Sequence, residues 1–236
     1  PYALKRSVKT FHDHEPHPTQ RLTTAGVLAV SSNTGSIKIG EMLSNDKLYD
    51  YLTKFGIGSK TGSGLPGESR GILPKVADWS GTTAPTVAFG QGYSLTAMQA
   101  TSVFATIAND GVRVSPTVIA GKSDSSGNYT PSATRESVRV ISSDTAAKMR
   151  LMMESVVSAN GTAPSAAIPG YRVAGKTGTA QRIDDTCGCY RGYTASFIGF
   201  APADNPAYVI SVTIQDPKGL HWGGYLGGPV FKKVMS

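Results

Sequence analysis

Apolar residues recur at helical spacing through much of the first 160 residues. From Thr23 they return every three or four positions until the polar stretch at residues 31–36, which predicts a helix that breaks there and resumes. A second helix is predicted after Ser44, a favourable N-cap, and a third after Thr96, which has capping-box spacing to the glutamine three residues on. Residues 142–161 predict a further helix with a methionine-rich apolar side.

After Gly170 the pattern changes to that of β-strands. Residues 171–181, 193–202 and 207–217 form short segments rich in β-branched and aromatic residues, each bounded by turn residues. The turn sequence between the last two predicts that they pair antiparallel, and a helix is predicted at the end of the chain. This order predicts an α/β fold of the α+β layered type, with helices flanking an antiparallel sheet, and not a doubly wound fold.

Composition excludes several classes of protein. The 236 residues include 39% hydrophobic residues and 27 glycines, which is typical of a single globular domain with many turns. The net charge of +7 comes from scattered basic residues without interleaved aromatics, so the sequence predicts no nucleic-acid partner. No apolar run reaches the ~20 residues that a membrane-spanning helix needs.

Two clusters of metal-ligating residue types are predicted not to bind metal. "HDHEPHP", residues 12–18, has the composition of a metal site, but its two prolines and lack of periodicity predict an exposed loop. Cys187 and Cys189 supply only two of the about four ligands of a structural zinc site. A disulfide between them would be strained at so short a spacing, so we expect two free thiols in a loop where Asp185 and Cys187 tolerate alanine.

The segment "GYRVAGKTGTA", residues 170–180, has two interpretations. It fits the phosphate-binding pattern G-x-x-x-x-G-K-[ST], and it contains Lys-Thr-Gly, a signature of penicillin-interacting serine enzymes. A phosphate-binding loop needs a buried strand before it and a helix that starts at the lysine, and the flanking sequence has neither. A strand would instead present Lys176 as a positive charge and the hydroxyls of Thr177 and Thr179 to a carboxylate. Gly178 would leave room for a ligand backbone.

A Ser-x-Asn element, Ser31-Ser32-Asn33, precedes Lys-Thr-Gly in the chain, at the predicted helix break. With both elements in this order, the chain from about Leu22 onward resembles the transpeptidase domain of class B penicillin-binding proteins, of the cell-division (septal D,D-transpeptidase) type. The resemblance runs through collinear stretches: "TTAGVLAVSSNTGSIKIG", "LYDYLTKFGIGSKTGSGLPGESRGILP", "AFGQGYSLTAMQATSVFATIANDG", "MMESVV", "GYRVAGKTGTAQ", "YTASFIGFAPADNPAYVISVTIQDP" and "WGGYLGGPVFKKVM".

The resemblance implies the penicillin-binding or serine β-lactamase-like fold and gives catalytic roles to three residues. Ser31 would shuttle a proton toward the leaving or attacking amine, and Asn33 would hydrogen-bond the substrate's amide. Lys176 would lie near Ser31 and set the electrostatic field for the proton transfer.

The resemblance also implies a substrate-binding wall. Thr177 and Thr179 would hold the terminal carboxylate of the substrate or of a β-lactam, on either side of Gly178. The backbone N–H of Thr179 would be one of two oxyanion donors. His221 and Trp222 match a position where aromatic residues wall the cleft. No metal or organic cofactor is implied.

The nucleophile of such an enzyme is missing from its expected place. In the family a Ser-x-x-Lys element lies upstream of Ser-x-Asn, and the residues before Ser31 contain none. Ser44-Asn45-Asp46-Lys47 fits the letters but follows Ser31, and Lys60-Thr61-Gly62 lies in a glycine-rich loop without strand character. We therefore expect residues 1–236 to be the C-terminal portion of a single transpeptidase domain, incomplete without an upstream segment.

The resemblance also implies a biological setting. The whole protein would cross-link peptidoglycan stem peptides at D-Ala-D-Ala and bind β-lactams. It would lie on the extracytoplasmic face of the bacterial membrane, anchored by an N-terminal segment. Its partners would be cell-division membrane proteins and the N-terminal remainder of its own domain. Two alternatives stay open: a serine β-lactamase or β-lactam sensor of the same superfamily, and a non-catalytic interaction module.

Overall fold

The structure is a computed structural model that describes residues 1–132, 135–184 and 186–236. Its helices are α1 (Thr24–Ala29), α2 (Asn33–Gly40), α3 (Asn45–Lys54), α4 (Thr83–Ala88), α5 (Ala97–Ala108), α6 (Ser143–Glu154) and α7 (Gly223–Met235). Its strands are β1 (Ala3–Arg6), β2 (Lys9–His12), β3 (Val112–Val114), β4 (Gly121–Ser123), β5 (Tyr129–Pro131), β6 (Ser137–Arg139), β7 (Ala174–Asp184), β8 (Cys189–Ala201) and β9 (Tyr208–Gln215).

Side-chain caps explain where the helices begin. Thr23, Ser32 and Ser44 each accept a hydrogen bond from the backbone N–H three residues on, at the starts of α1, α2 and α3. Thr96 and Gln99 form a full capping box at the start of α5. Each cap satisfies a backbone donor that has no partner inside the helix. The predicted helix break near residue 31 and the predicted starts at Ser44 and Thr96 are confirmed.

Strands β7, β8 and β9 form an antiparallel sheet in that order, so β7 lies at an edge. Thr177 of β7 pairs with Phe197 of β8, and the chain returns as β9 after the predicted turn. Phe197 and Phe200 are three positions apart on β8, so their side chains point to opposite faces of the sheet.

Helices cover both faces of this sheet. On one face Phe197 packs against Phe231 of α7, with ring centroids 5.0 Å apart. On the other face Phe200 packs with Ile107 of α5 and Met153 of α6. All three phenylalanines are fully buried, and each stabilises the fold by about 1.5–3 kcal/mol. The predicted α+β layered fold, an antiparallel sheet flanked by helices, is confirmed.

Glycines allow α7 to lie directly on the sheet. A Cβ at Gly223 would come 2.2 Å from the carbonyl oxygen of Ser196, and a Cβ at Gly227 would come 2.8 Å from Cβ of Phe197. A side chain at either position would push the helix away from the sheet. The close approach brings the first turn of α7 beside the edge strand β7.

The sequence pattern predicts no strand before residue 12, yet the structure has two there, whereas the loop predicted for residues 12–18 is confirmed after β2 and is mostly exposed. β1 and β2 form an antiparallel hairpin in which Leu4 pairs with Phe11. Phe11 is buried, with its ring centroid 5.8 Å from that of Phe89, and Asp13 is buried directly after β2. Four-residue strands of mostly polar residues show too little alternation to be recognised, and packing against the helical layer stabilises them.

The expectation of two free thiols is also wrong. Cys187 and Cys189 form a disulfide, with Cα atoms 5.2 Å apart, inside the range that disulfides accept. They lie at the reversal of the chain between the antiparallel strands β7 and β8. The tight turn there brings residues two positions apart close enough to bond. Asp185 lies outside the described residues.

Two further observations concern only the part of the chain that the structure describes. None of its helices is both long enough and apolar enough to cross a bilayer. It also contains no group of three or more histidine, cysteine, aspartate or glutamate side chains arranged to hold a metal ion.

Gly227→Ala should lower the free energy of unfolding by about 1–3 kcal/mol, because the added methyl group overpacks the contact between α7 and the sheet. Gly26→Ala is the matched control: its Cβ would meet nothing closer than 3.4 Å, and alanine favours a helix over glycine. Urea unfolding followed by circular dichroism measures both variants. Equal stability of the two would show that α7 does not depend on this close approach.

Candidate active site

A cavity of about 800 Å³ opens between the edge strand β7 and the helices near the start of the chain. Its walls come from α1, α2, the segment after α4 and the first turn of α7. Seven of the predicted site residues line this cavity, and His221 does not; the seven are Ser31, Asn33, Lys176, Thr177, Gly178, Thr179 and Trp222. Residues from distant parts of the chain therefore meet at one place.

One hydrogen bond joins the two sequence elements. Lys176 Nζ donates to Ser31 Oγ at 2.7 Å, across 145 positions of sequence. Ser31 forms the corner between α1 and α2 and has a left-handed backbone, with φ of 54°. Hydrogen bonds from Ser31 N–H to Leu28 O (3.2 Å) and from Ser32 N–H to Val27 O (3.0 Å) hold the corner. Such a strained backbone is uncommon outside glycine and is typical of functional sites.

The side chain of Lys176 is half-buried in the cavity wall, and desolvation lowers its pKa from 10.5 to about 8. Its hydrogen-bond acceptors are neutral: Ser31 Oγ, and the carbonyl oxygen of Thr177 at 3.2 Å. No carboxylate of the described residues offsets the effect of burial on this pKa. A lysine in this state exchanges protons near neutral pH and, when charged, attracts an anion that enters the cavity.

Contacts with neighbouring segments orient the two threonine hydroxyls of β7. Thr177 Oγ1 lies 3.0 Å from Thr162 Oγ1, and Thr162 N–H donates to Ala29 O at 3.1 Å. Thr179 Oγ1 accepts a hydrogen bond from the N–H of Gly223, in the first turn of α7, at 3.2 Å. Sequence patterns give no signal for Thr162, because it lies in an irregular segment outside any motif.

Two of the predicted residues make contacts that the sequence does not reveal. A Cβ at Gly178 would come 2.5 Å from Ser196 Oγ on the paired strand, so the neighbouring strand itself requires glycine there. Asn33 Nδ2 donates to the carbonyl oxygen of His12 at 2.9 Å, which ties the Ser-x-Asn element to the end of β2.

An aromatic cluster lies beside the first turn of α7. Trp222 is 37% exposed, and its ring lies 4.8 Å from that of His221 and 5.6 Å from that of His14. His221 stacks on Tyr193, with ring centroids 4.0 Å apart and planes at 7°. Trp222 and His14 line the cavity together. His14 belongs to the "HDHEPHP" segment. The composition of that segment is typical of a metal site and gives no signal of an aromatic contact.

Elements that imitate the motifs lie away from the cavity. Ser44 caps α3, as its sequence position predicts. Lys60-Thr61-Gly62 lies in a loop in which Thr61 N–H donates to Glu68 at 2.7 Å. Lys176 lies within β7 and not at the start of a helix, so the segment around it lacks the geometry of a phosphate-binding loop. Rejection of the nucleotide-binding interpretation is confirmed.

Known proteins match this chain along nearly its whole length. The family model of the penicillin binding protein transpeptidase domain matches residues 2–236. Penicillin-binding protein PbpB of Mycobacterium tuberculosis is 40% identical over 246 aligned positions, which cover 100% of this chain and 36% of that protein. Peptidoglycan D,D-transpeptidase FtsI of Escherichia coli is 37% identical over 216 positions, which cover 91% of this chain and 35% of that protein.

Solved structures agree with this comparison. Penicillin binding protein 3 of Mycobacterium tuberculosis, complexed with aztreonam, has a TM-score of 0.94 and 40% identity, over 100% of this chain and 55% of that chain. The apo TP domain of Burkholderia pseudomallei penicillin-binding protein 3 has a TM-score of 0.84 and 34% identity, over 99% of this chain and 68% of that chain. The chain spans about a third of the length of PbpB and FtsI, the two curated relatives described above. In both sequence and structure, it belongs to the penicillin binding protein transpeptidase domain family.

Proposed function

We propose that this chain is part of a penicillin-binding D,D-transpeptidase that cross-links peptidoglycan stem peptides. The observation that carries the proposal is the hydrogen bond between Lys176 and Ser31, in a cavity edged by Thr177 and Thr179. The cavity combines a half-buried amine, a hydroxyl and groups that can bind a carboxylate. The relatives named peptidoglycan D,D-transpeptidase support the same reaction.

The geometry supports a binding mode for the end of a stem peptide. The terminal carboxylate accepts hydrogen bonds from the hydroxyls of Thr177 and Thr179, near the ammonium group of Lys176. Asn33 hydrogen-bonds the substrate's amide, and the ring of Trp222 covers part of the cleft. The backbone N–H of Thr179 donates to the oxyanion, with the N–H of the nucleophile as second donor. The same groups bind a β-lactam, whose carboxylate and reactive carbonyl imitate the peptide.

Acylation requires a serine from a Ser-x-x-Lys element, which we propose lies upstream of this chain. Its oxygen attacks the carbonyl carbon of the penultimate D-Ala, the C–O bond forms, and the amide C–N bond breaks. The terminal D-Ala leaves as an amine that has gained the serine's proton, which passes through Ser31 Oγ. An acceptor amine then attacks the ester carbonyl carbon, a new amide C–N bond forms, the ester C–O bond breaks, and a proton of the acceptor amine passes to the serine oxygen. Lys176 supports both transfers through its hydrogen bond to Ser31.

The family also supports proposals about the domain, the location and the partners of the whole protein. We infer that residues 1–236 are the C-terminal portion of a single transpeptidase domain whose remainder packs against them. We infer also that the whole protein is held at the extracytoplasmic face of the membrane by an N-terminal anchor, and that it works with cell-division membrane proteins. The resemblance to septal enzymes and the name FtsI of one relative support this setting.

In the full-length protein, Lys176→Ala should slow acylation by a penicillin by about 10²-fold or more, because a positioned proton-transfer or electrostatic group is lost. Lys60→Ala is the matched control, since Lys60 belongs to the second Lys-Thr-Gly and does not line the cavity. Stopped-flow labelling with a fluorescent penicillin measures both rates. A wild-type protein that no penicillin labels would refute the function, and a normal rate in Lys176→Ala would refute the site assignment.

The 236-residue chain by itself should form no covalent adduct with a penicillin, since no Ser-x-x-Lys element precedes Ser31. The remaining groups offer binding and part of an oxyanion hole but no covalent intermediate. Intact-mass spectrometry after incubation with a penicillin tests this, with the full-length protein as positive control. An adduct on this chain, at Ser44 or elsewhere, would show that it carries the nucleophile.

Lys176→Met should raise the free energy of unfolding at pH 7 by about 1–3 kcal/mol, because methionine fills the same space without a buried charge. The gap to wild type should shrink as pH rises from about 8 toward 10.5. In that range the unfolded wild type binds more protons than the folded form, so wild type gains stability. Urea unfolding at pH 7 and pH 10 measures the gap, with the exposed Lys60→Met as control. A gap that is constant with pH would contradict the lowered pKa.

A further inference from the structure

A buried carboxylate lies directly behind the Ser-x-Asn element. Asp13 is 7% exposed, and its two oxygens accept hydrogen bonds from Ser32 Oγ (2.9 Å), Thr34 N–H (2.9 Å) and Thr34 Oγ1 (3.1 Å), the last of which is shared with the carbonyl oxygen of Pro1 (2.7 Å). A fourth hydrogen bond, of 2.9 Å, comes from His17 Nε2. Three of the four donors belong to the two residues that flank Asn33.

The fourth donor, His17, is placed to carry a charge. Its Nδ1 lies 2.7 Å from the carbonyl oxygen of Pro18 and its Nε2 faces the Asp13 carboxylate, so both ring nitrogens meet acceptors. Only the imidazolium form donates from both nitrogens. The hydrogen bonds to Pro18 and to Asp13 raise the pKa of His17. The other groups that face it are the α-amino group of Pro1, which opposes the charge, and the Tyr2 ring, which lies edge-on at 5.8 Å.

Asp13 in turn is kept ionised. Burial acts to raise its pKa, but the hydrogen bonds from Thr34, His17 and Ser32 together outweigh burial and lower it. An ionised carboxylate is the form that accepts all four hydrogen bonds.

These contacts hold the corner that carries the site. Ser32 Oγ donates to Asp13 and also accepts from Gly35 N–H at the start of α2 (2.9 Å). The neighbouring carbonyl of His12 accepts from Asn33. Residues 12 and 13 therefore hold residues 32–34, next to the point where Ser31 adopts its left-handed backbone. Together with the backbone hydrogen bonds of Ser31 and Ser32 inside the corner, this support keeps Ser31 Oγ within hydrogen-bond distance of Lys176.

We propose that Asp13 and His17 form a positioning pair that fixes Ser31 and Asn33 against Lys176 without contacting the substrate. This inference rests on the proposed transpeptidase function, and it adds residues outside the two motifs to the catalytic arrangement. The pair acts through the corner, so its loss should slow acylation while leaving non-covalent binding by the threonine hydroxyls of β7 largely intact.

The first experiment uses the full-length protein and a fluorescent penicillin, and separates the acylation rate constant from the non-covalent binding constant. Asp13→Asn should lower the rate constant about tenfold or more, as expected when a reacting group is displaced by a fraction of an ångström, with a smaller effect on binding. Asp124→Asn is the matched control, a carboxylate that also accepts several hydrogen bonds, in the turn between β4 and β5. A wild-type rate constant in Asp13→Asn would overturn the proposal.

The second experiment compares wild type with His17→Gln from pH 5.5 to 8.5. Glutamine can still donate to Asp13 but carries no charge and does not titrate. Because the pKa of His17 is raised, its double hydrogen bond is complete at low pH and is lost as pH rises through that pKa. The ratio of wild-type to variant acylation rates should therefore be largest at low pH and fall toward one. A ratio that does not change with pH would overturn the role of His17.

Hydrogen exchange of the backbone amides at residues 31–35 gives a readout independent of acylation. Exchange there should be faster in Asp13→Asn than in wild type and unchanged in Asp124→Asn. If wild type is not acylated, the proposed function fails, and this measurement still decides whether the pair holds the corner. If Asp13→Asn does not fold, Ser32→Ala, which removes the 2.9 Å hydroxyl contact with the carboxylate, replaces it, with Thr23→Ala as control for the loss of a helix cap. Unchanged exchange and an unchanged rate in that variant would overturn the proposal.

Discussion

A hydrogen bond of 2.7 Å joins Lys176 Nζ to Ser31 Oγ, and the layers of the fold are arranged so that it can form. β7 must lie at the edge of its sheet, because a further strand on that side would fill the cavity that the two residues share. The helical corner at Ser31 must lie opposite the first part of β7, because Lys176 is the third residue of that strand. The segment around Thr162 joins the two, since it contacts both Ala29 and Thr177.

The same arrangement places two features that cost folding free energy at the site. Ser31 has a strained backbone, and Lys176 holds an ammonium group in a half-buried position where it is partly desolvated. Neither would persist without support from well-packed surroundings. The buried rings of Phe197, Phe200 and Phe231 supply much of that support, because they fasten helices to both faces of the sheet that carries Lys176. The stability of the packed core therefore offsets the strain at the cavity.

Polar contacts behind the cavity complete this support. The first hairpin reaches the corner at Ser31 through His12 and Asp13, so a segment outside both motifs determines how the Ser-x-Asn element is presented. Buried hydrogen bonds to an ionised carboxylate are stronger than those between neutral groups. A short hairpin that contributes little apolar area can therefore still hold a strained corner.

Features that depend on neighbouring residues could be predicted from the sequence. The caps at Ser44 and Thr96, the break near Ser31, the strands after Gly170 and the antiparallel return after Ala201 follow from local hydrogen bonding and side-chain alternation. The order of the Ser-x-Asn and Lys-Thr-Gly elements was also readable, and it pointed to the residues that line the cavity.

Only the tertiary structure decided what those residues contact. The burial of Asp13, the partnership of Thr162 with Thr177 and the disulfide at Cys187 each depend on groups brought together by chain reversal or by packing of separate layers. Burial decides the charge state of Lys176 in the same way, because the cost of desolvation depends on everything that surrounds the group. The sequence alone determined the layers and the motifs, since these arise from local spacing. The geometry and electrostatics of the site arise from distant contacts, which no local pattern records.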